Sequence, residues 1–361
     1  MSQRTRTNRS KPPSIYDVAR EARVSVFTVS AVINNKGRVS STLARRVGTA
    51  IEKLNYRPNL LARSLARQRT HTIGVIVSDI ANPFFPAIVR AAEDAAQKAG
   101  YSILLCNSDD EMDKEDRYVE LLLSKRVDGI ILNKTHGKLS NLQRDLLKDA
   151  NIPLVLLMRT CPGLKADVVQ TDDEAGAFEA TSHLARNGYR RIALVGGPSD
   201  VSNARSRTRG YIRALAENGL QHDPKLTFEG DYRLDSGYRA GLALLPRRPD
   251  AVLVANYLMT VGLMNAASEM GISCPEDFAL VSFDDYPWLG CFRPRLTTIE
   301  LPKYELGETA VRLLLERLEG TRKRPAVVTL APQLRVRESC GFTLRFRETP
   351  SAKQELVAQP D

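Results

Sequence analysis

Between Ser14 and Tyr56, apolar residues recur at helical spacing in three short runs, each opened by a serine. Ser14 precedes residues 15–22, Ser25 precedes 26–34, and Ser40 precedes a longer run through 54. A serine ahead of an apolar-periodic segment is a helix start signal, because its hydroxyl accepts a backbone N–H that the first turn leaves unpaired. Ala19, Val24, Val29, Val32, Val47, Ile51 and Leu54 are expected to share one small core. Pro58 suits the first turn of a further short helix over residues 58–66. Residues 67–70 then read as a polar linker, and residues 1–13, basic with Pro12-Pro13, as a flexible arm.

From Thr72 the texture changes. Near-continuous apolar runs at 73–77, 103–106, 129–132, 154–157, 192–195, 251–255 and 279–283 read as strands buried on both faces. Amphipathic stretches lie between them, at 84–98, 114–124, 139–149, 174–186, 203–217, 236–245 and 259–270, with a late helix at 304–318. Such alternation predicts parallel sheets covered by helices on both sides. The segment is long for one doubly wound sheet, so we expect two α/β lobes. The default ligand position is then the cleft between them, at the carboxyl ends of the strands. The expected organisation is an arm (1–13), a small all-α domain (14–69), a two-lobed α/β domain (70–345) and a tail (346–361).

Charge is distributed unevenly. The 361 residues carry a formal net +10, but residues 1–69 alone hold 15 Lys and Arg against three acids, a local +12 that leaves the rest at −2. A positive field confined to the small helical domain suits a polyanion, either nucleic acid or an anionic membrane surface. No apolar run approaches the ~20 residues of a membrane-spanning helix, and none follows the basic N-terminus as a secretion signal would. A soluble cytoplasmic protein is therefore expected. The five cysteines (106, 161, 274, 291 and 340) are scattered and read as free thiols, and the four histidines lie too far apart for a local zinc site. Gly196-Gly197 lacks dinucleotide spacing, and neither a P-loop nor a nucleophile elbow is present, so the chain reads as no enzyme and needs no cofactor. The acidic run Asp109–Asp116 precedes a helix, where acids complement the N-terminal dipole, and we read it that way rather than as a metal cluster.

Two short helices joined by a tight turn, Ser14 to Asn34, form a helix-turn-helix whose second helix can enter the major groove of DNA. This stretch resembles the lactose-repressor (LacI/GalR) family of bacterial transcription regulators. So do Val39-Ser40 and Leu54-Asn-Tyr-Arg-Pro-Asn59. The likeness continues through Thr72-Ile-Gly-Val-Ile-Val77, Asp79-Ile-Ala-Asn-Pro-Phe-Phe85, Arg126-Val-Asp-Gly-Ile-Ile131 and Arg190-Arg-Ile-Ala-Leu-Val-Gly-Gly197. It closes with Pro275 to Asp285, Leu296-Thr-Thr298 and Arg337-Glu-Ser-Cys340, and so spans roughly residues 14–342.

The resemblance implies DNA contacts from Ser14, Tyr16, Ser25, Val26, Phe27, Thr28, Ser30, Ala31 and Asn34. Asn59 and Leu65 join them on a hinge helix, with Leu65 wedged into the minor groove. Ala31 stands where members often carry an arginine, so readout is expected through apolar contact with thymine methyls and through DNA shape. Arg23 replaces a common turn glycine. For the lobes, the resemblance implies an effector site formed by Phe84, Phe85, Asn133, Arg207, Tyr232, Asn256 and Asp284, with Arg159 and Trp288 as secondary candidates. Aromatic faces beside amide, carboxylate and guanidinium groups suit a sugar or a derivative. Met158 and Tyr257 stand where members commonly have acids.

The expected protein is a repressor. It binds a near-palindromic double-stranded operator as a homodimer, and its affinity is set by a small polar effector. The hinge segment is below the ~12–15 residues at which an isolated helix is stable, so a small change in spacing would decide whether it folds on DNA. The alternative, a sugar-binding module without DNA function, leaves the basic first fifth of the chain unexplained.

Overall fold

All three serines act as helix caps. In the computed structural model, which describes residues 13–33, 39–57, 69–137 and 139–341, Ser14 Oγ accepts from Asp17 N while Asp17 Oδ2 accepts from Ser14 N at 2.9 Å, a reciprocal capping box. Ser25 Oγ accepts from Thr28 N at 3.1 Å, and Ser40 Oγ accepts from Leu43 N at 3.4 Å. They start α1 (Ile15–Ala22), α2 (Val26–Ile33) and α3 (Ser41–Lys53). The chain divides between Thr70 and His71 into two compact units. In the first, Val18, Ala19, Ala22, Val29, Val47, Ala50 and Tyr56 are buried together, and Val24, Val32, Ile51 and Leu54 pack against them. Arg23 takes a left-handed conformation (φ 49°), as the glycine common at that turn would, so the turn survives the substitution. Arg46 caps it by donating to the carbonyls of Ala22 and Arg23 at 2.7 and 3.1 Å.

The second unit contains two six-stranded sheets. The first lobe is built from β1 (Thr72–Val77), α4 (Phe84–Lys98), β2 (Ser102–Asn107), α5 (Met112–Ser124), β3 (Gly129–Leu132), α6 (Asn141–Ala150), β4 (Leu154–Leu157) and β5 (Asp167–Thr171). The chain then crosses to the second lobe through α7 (Asp173–Arg186), β6 (Ile192–Gly196), α8 (Ser202–Glu217), β7 (Thr227–Glu229) and α9 (Leu234–Leu244). That lobe continues with β8 (Ala251–Val254), α10 (Tyr257–Glu269), β9 (Ala279–Phe283) and β10 (Thr297–Glu300). It returns for α11 (Lys303–Leu318) and β11 (Val327–Leu330), and crosses a third time to β12 (Gln333–Arg335). The sheet orders are β11-β5-β4-β3-β1-β2 and β12-β10-β9-β8-β6-β7, parallel throughout except for β12 on β10.

Six of the seven strands expected from apolar runs lie inside these sheets. The seventh, β2, is an edge strand and is partly exposed, not buried on both faces as expected, because no strand covers its outer side. β1, β3, β4, β6, β8 and β9 are buried almost without a break, because helices cover both faces. Five strands escaped the sequence reading. β5 begins with Asp167, a fully buried carboxylate held by Arg317 of α11 and by Ala326 N, so its charge hid a core position. β10 carries two buried threonines, and β7, β11 and β12 are short edge strands. No described helix is long and apolar enough to cross a membrane.

Candidate functional site

In the small unit, Phe27 projects from the start of α2 with 83% of its surface exposed, and Tyr16 on α1 is 68% exposed. Val26, expected beside Phe27 as an exposed reader, is instead half-buried and packs on the core. Ser30 and Ala31 lie further along α2, both half-buried. The hydroxyls of Ser14, Ser25 and Thr28, all proposed for DNA contact, have partners within the protein. Ser14 donates to Asp17 at 2.6 Å, and Ser25 and Thr28 bond each other at 2.9 Å at the helix start. The expected contacts at Asn34, Asn59 and Leu65, and the hinge helix, lie outside the described residues.

In the large unit, the strand carboxyl ends of both lobes face one cleft. Phe84 and Phe85 open α4, their rings edge to face at 5.3 Å. Asn133 follows β3 and Arg159 follows β4. Arg207 sits on α8, Tyr232 follows β7, Asn256 follows β8 and Asp284 follows β9. The seven expected effector residues and Arg159 line this cleft. Trp288 does not. It stacks on Tyr286 with ring centroids 4.7 Å apart and donates to Tyr257 Oη.

The two deep guanidinium groups are already paired. Arg207 Nε donates to Asp173 Oδ1 at 2.7 Å, its Nη1 donates to Ala255 O, and its guanidinium lies 3.9 Å over the Phe283 ring. Burial pushes the Asp173 carboxyl up, Arg207 opposes that, and Asp173 in turn keeps Arg207 protonated. Arg159 Nη1 donates to Asp110 Oδ1 at 2.7 Å and to Lys134 O at 2.8 Å. Asp284 is buried, and burial pushes its carboxyl up against the pull of Arg207 and Lys303. Burial likewise raises the Tyr232 phenol to about 12. Asn133 donates to Leu157 O at 2.9 Å, but its buried Oδ1 has no partner among the described residues and remains an open acceptor. Asn256 is busier than expected. Its Oδ1 caps α10 through Met259 N, and its Nδ2 donates to Tyr232 O at 2.8 Å.

Reasoning from sequence missed other cleft residues: Asp79, Asn203, Asp231 and Arg233 among them. The acidic run is also corrected. Asp113 and Glu115 do lie in the first turn of α5, but Asp109 and Asp110 line the cleft instead. Asp109 pairs with Lys114, which holds its carboxyl below the usual range. Their place at the end of β2 was the available signal. Among the described residues, no cluster of metal-ligating side chains occurs.

A basic helix-turn-helix unit followed by a two-lobed α/β unit with a polar cleft is the organisation of a DNA-binding regulator that carries a small-molecule-binding module. Residues 14–59 match the bacterial regulatory proteins of the lacI family, and residues 181–340 match the periplasmic binding protein-like domain. The ribose operon repressor of Halalkalibacterium halodurans is 38% identical over 85% of this chain and 90% of its own length. The solved lac repressor dimer bound to operator and the anti-inducer ONPF superposes with a TM-score of 0.81 at 32% identity, over 91% of this chain and 99% of that one. The CelR–cellobiose complex superposes at 0.70, with 32% identity and the same coverage. The chain belongs to the lacI family and is a DNA-binding transcriptional repressor.

Proposed function

We propose that this repressor senses an uncharged sugar, or a close polyhydroxylated relative, bound between its lobes, and that it acts as a homodimer on a near-palindromic operator. The carrying observation is the charge state of the cleft. Arg159 and Arg207 each already face a protein carboxylate, and Asp284 adds another. An anionic ligand would meet this surplus of negative charge and compete for guanidinium groups that are already paired. Hydroxyls can instead share the remaining donor and acceptor positions, Asn133 Oδ1 among them, while Phe84, Phe85 and Tyr232 offer faces to C–H groups. Two solved relatives hold uncharged sugars: cellobiose in CelR, and ribose in a LacI family transcriptional regulator from Enterococcus faecium.

On DNA, Phe27 and Tyr16 are the exposed aromatic readers, with Val26 and Ala31 as smaller apolar neighbours. Operator sites rich in thymine methyls are expected. Two heads related by a two-fold axis require two half-sites, hence the dimer and the palindrome. Lobe closure would alter the spacing of the two hinges and so decide whether they fold on DNA.

The test combines a thermal-shift screen of ribose, cellobiose, ribose 5-phosphate and a purine base with operator retention on a duplex obtained by selection. An uncharged sugar should raise the melting temperature and change operator affinity by about 5–150-fold, the usual range of allosteric coupling. Stabilisation by the phosphorylated sugar alone, or by the purine alone, would overturn the sugar reading.

A further inference from the structure

Among the described residues, four protein contacts join the lobes across the rim of the cleft. Asp200, in the loop between β6 and α8, accepts a hydrogen bond from Gly137 N at 2.7 Å, and its carboxylate lies 3.8 Å from His136 Nδ1. Both partners belong to the loop that follows β3 in the other lobe. Ser202, the first residue of α8, accepts from Thr160 N at 2.9 Å, in the loop after β4. On another flank, Arg233 Nη2 donates to Asp109 O at 2.8 Å. None of these contacts can form unless the lobes are drawn together. The cleft beside them is narrow, with about 60 Å³ of free volume, room for a few waters.

Three of the four contacts converge on the start of α8, the helix that carries Asn203 and Arg207 into the cleft. A movement that frees Asp200 therefore carries the ligand-facing side of the same helix with it. We propose that Asp200 and Ser202 form a clasp that holds the two lobes together at the rim of the cleft, so that ligand entry and exit wait on its release. His136 and Asp200 are about half-exposed, and their ion pair is screened. The stronger element is the bond from Gly137 N to a charged acceptor, reinforced by the neutral bond at Ser202. Because one rigid-body opening breaks both, the two bonds should be lost together. The proposal concerns closure and stands whatever the chemical identity of the ligand.

Native-state amide hydrogen exchange on the full chain, with no sugar added, tests this directly. In the Asp200→Ala variant, exchange should accelerate at Gly137 and also at Thr160, whose own acceptor is untouched, each by roughly tenfold, as for loss of a bond to a charged group. Ser202→Ala should likewise accelerate both. Amides of the sheet interiors, such as Ile131 and Val281, serve as controls and should not change. Acceleration confined to the amide that lost its own acceptor, or none at either position, would overturn the clasp. Should Asp200→Ala loosen the sheets as well, Ser202→Ala, which removes a single hydroxyl, decides by the same comparison.

Discussion

Arg207 is held on three sides: Asp173 on one edge, Ala255 O on another and the Phe283 ring beneath. Both members of the pair are almost fully buried, with Asp173 at 3% and Arg207 at 4% exposure. Replacing Arg207 with Ala strands a buried carboxylate, so the expected result is a loss of about 3–5 kcal/mol in urea unfolding as well as loss of the ligand response. The double variant Asp173→Asn with Arg207→Met should recover most of the stability but none of the response. Recovery of both would remove Arg207 from the site. Gly197 is a quieter determinant. A Cβ there would come within 2.2 Å of the Tyr232 ring. Gly197→Ala should displace the ring and abolish the sugar-induced thermal shift, leaving DNA binding intact. The family resemblance carried by the sequence named eight of the residues that line the cleft. Pairings were not legible, because the partner of Arg159 lies 49 positions away and that of Arg207 lies 34 away.

At the scale of elements, the helix starts were legible because capping is local: the cap and the amide it serves are three residues apart. The capping box on α1 closes a unit with a small core, so it matters disproportionately. Ser14→Ala should cost about 1 kcal/mol, seen as roughly fivefold faster exchange at α1 amides such as Ala19. An unchanged rate there would show that packing rather than the cap holds α1. Interior strands were legible for the opposite reason. Burial on both faces demands apolar residues at every position, whatever the neighbouring strand. β5 and β10 were hidden because their buried polar side chains are satisfied by distant partners, Asp167 by Arg317 and Thr298 by Asp285.

For the whole molecule, the concentration of charge in the first 69 residues makes a quantitative claim about DNA. A head making 6–10 phosphate contacts should lose about 10³–10⁵ in operator affinity between 50 and 200 mM salt. Filter retention across that range checks it, and a flat profile would contradict electrostatic clamping. The proposed dimer predicts in addition that moving the two half-sites apart by half a helical turn abolishes specific retention, since the two heads would then face opposite sides of the duplex.

What the sequence determined alone is whatever depends on near neighbours: helix caps, amphipathic faces, doubly buried strands, the basic head and the residue types set at strand ends. Only the tertiary structure decided what the three crossings between lobes bring together. Asp200 meets Gly137, Arg233 meets Asp109, and two acids of a run that looked local turn out to line the cleft. Periodicity carries no information about such meetings, because each depends on how two separately folded sheets close on one another.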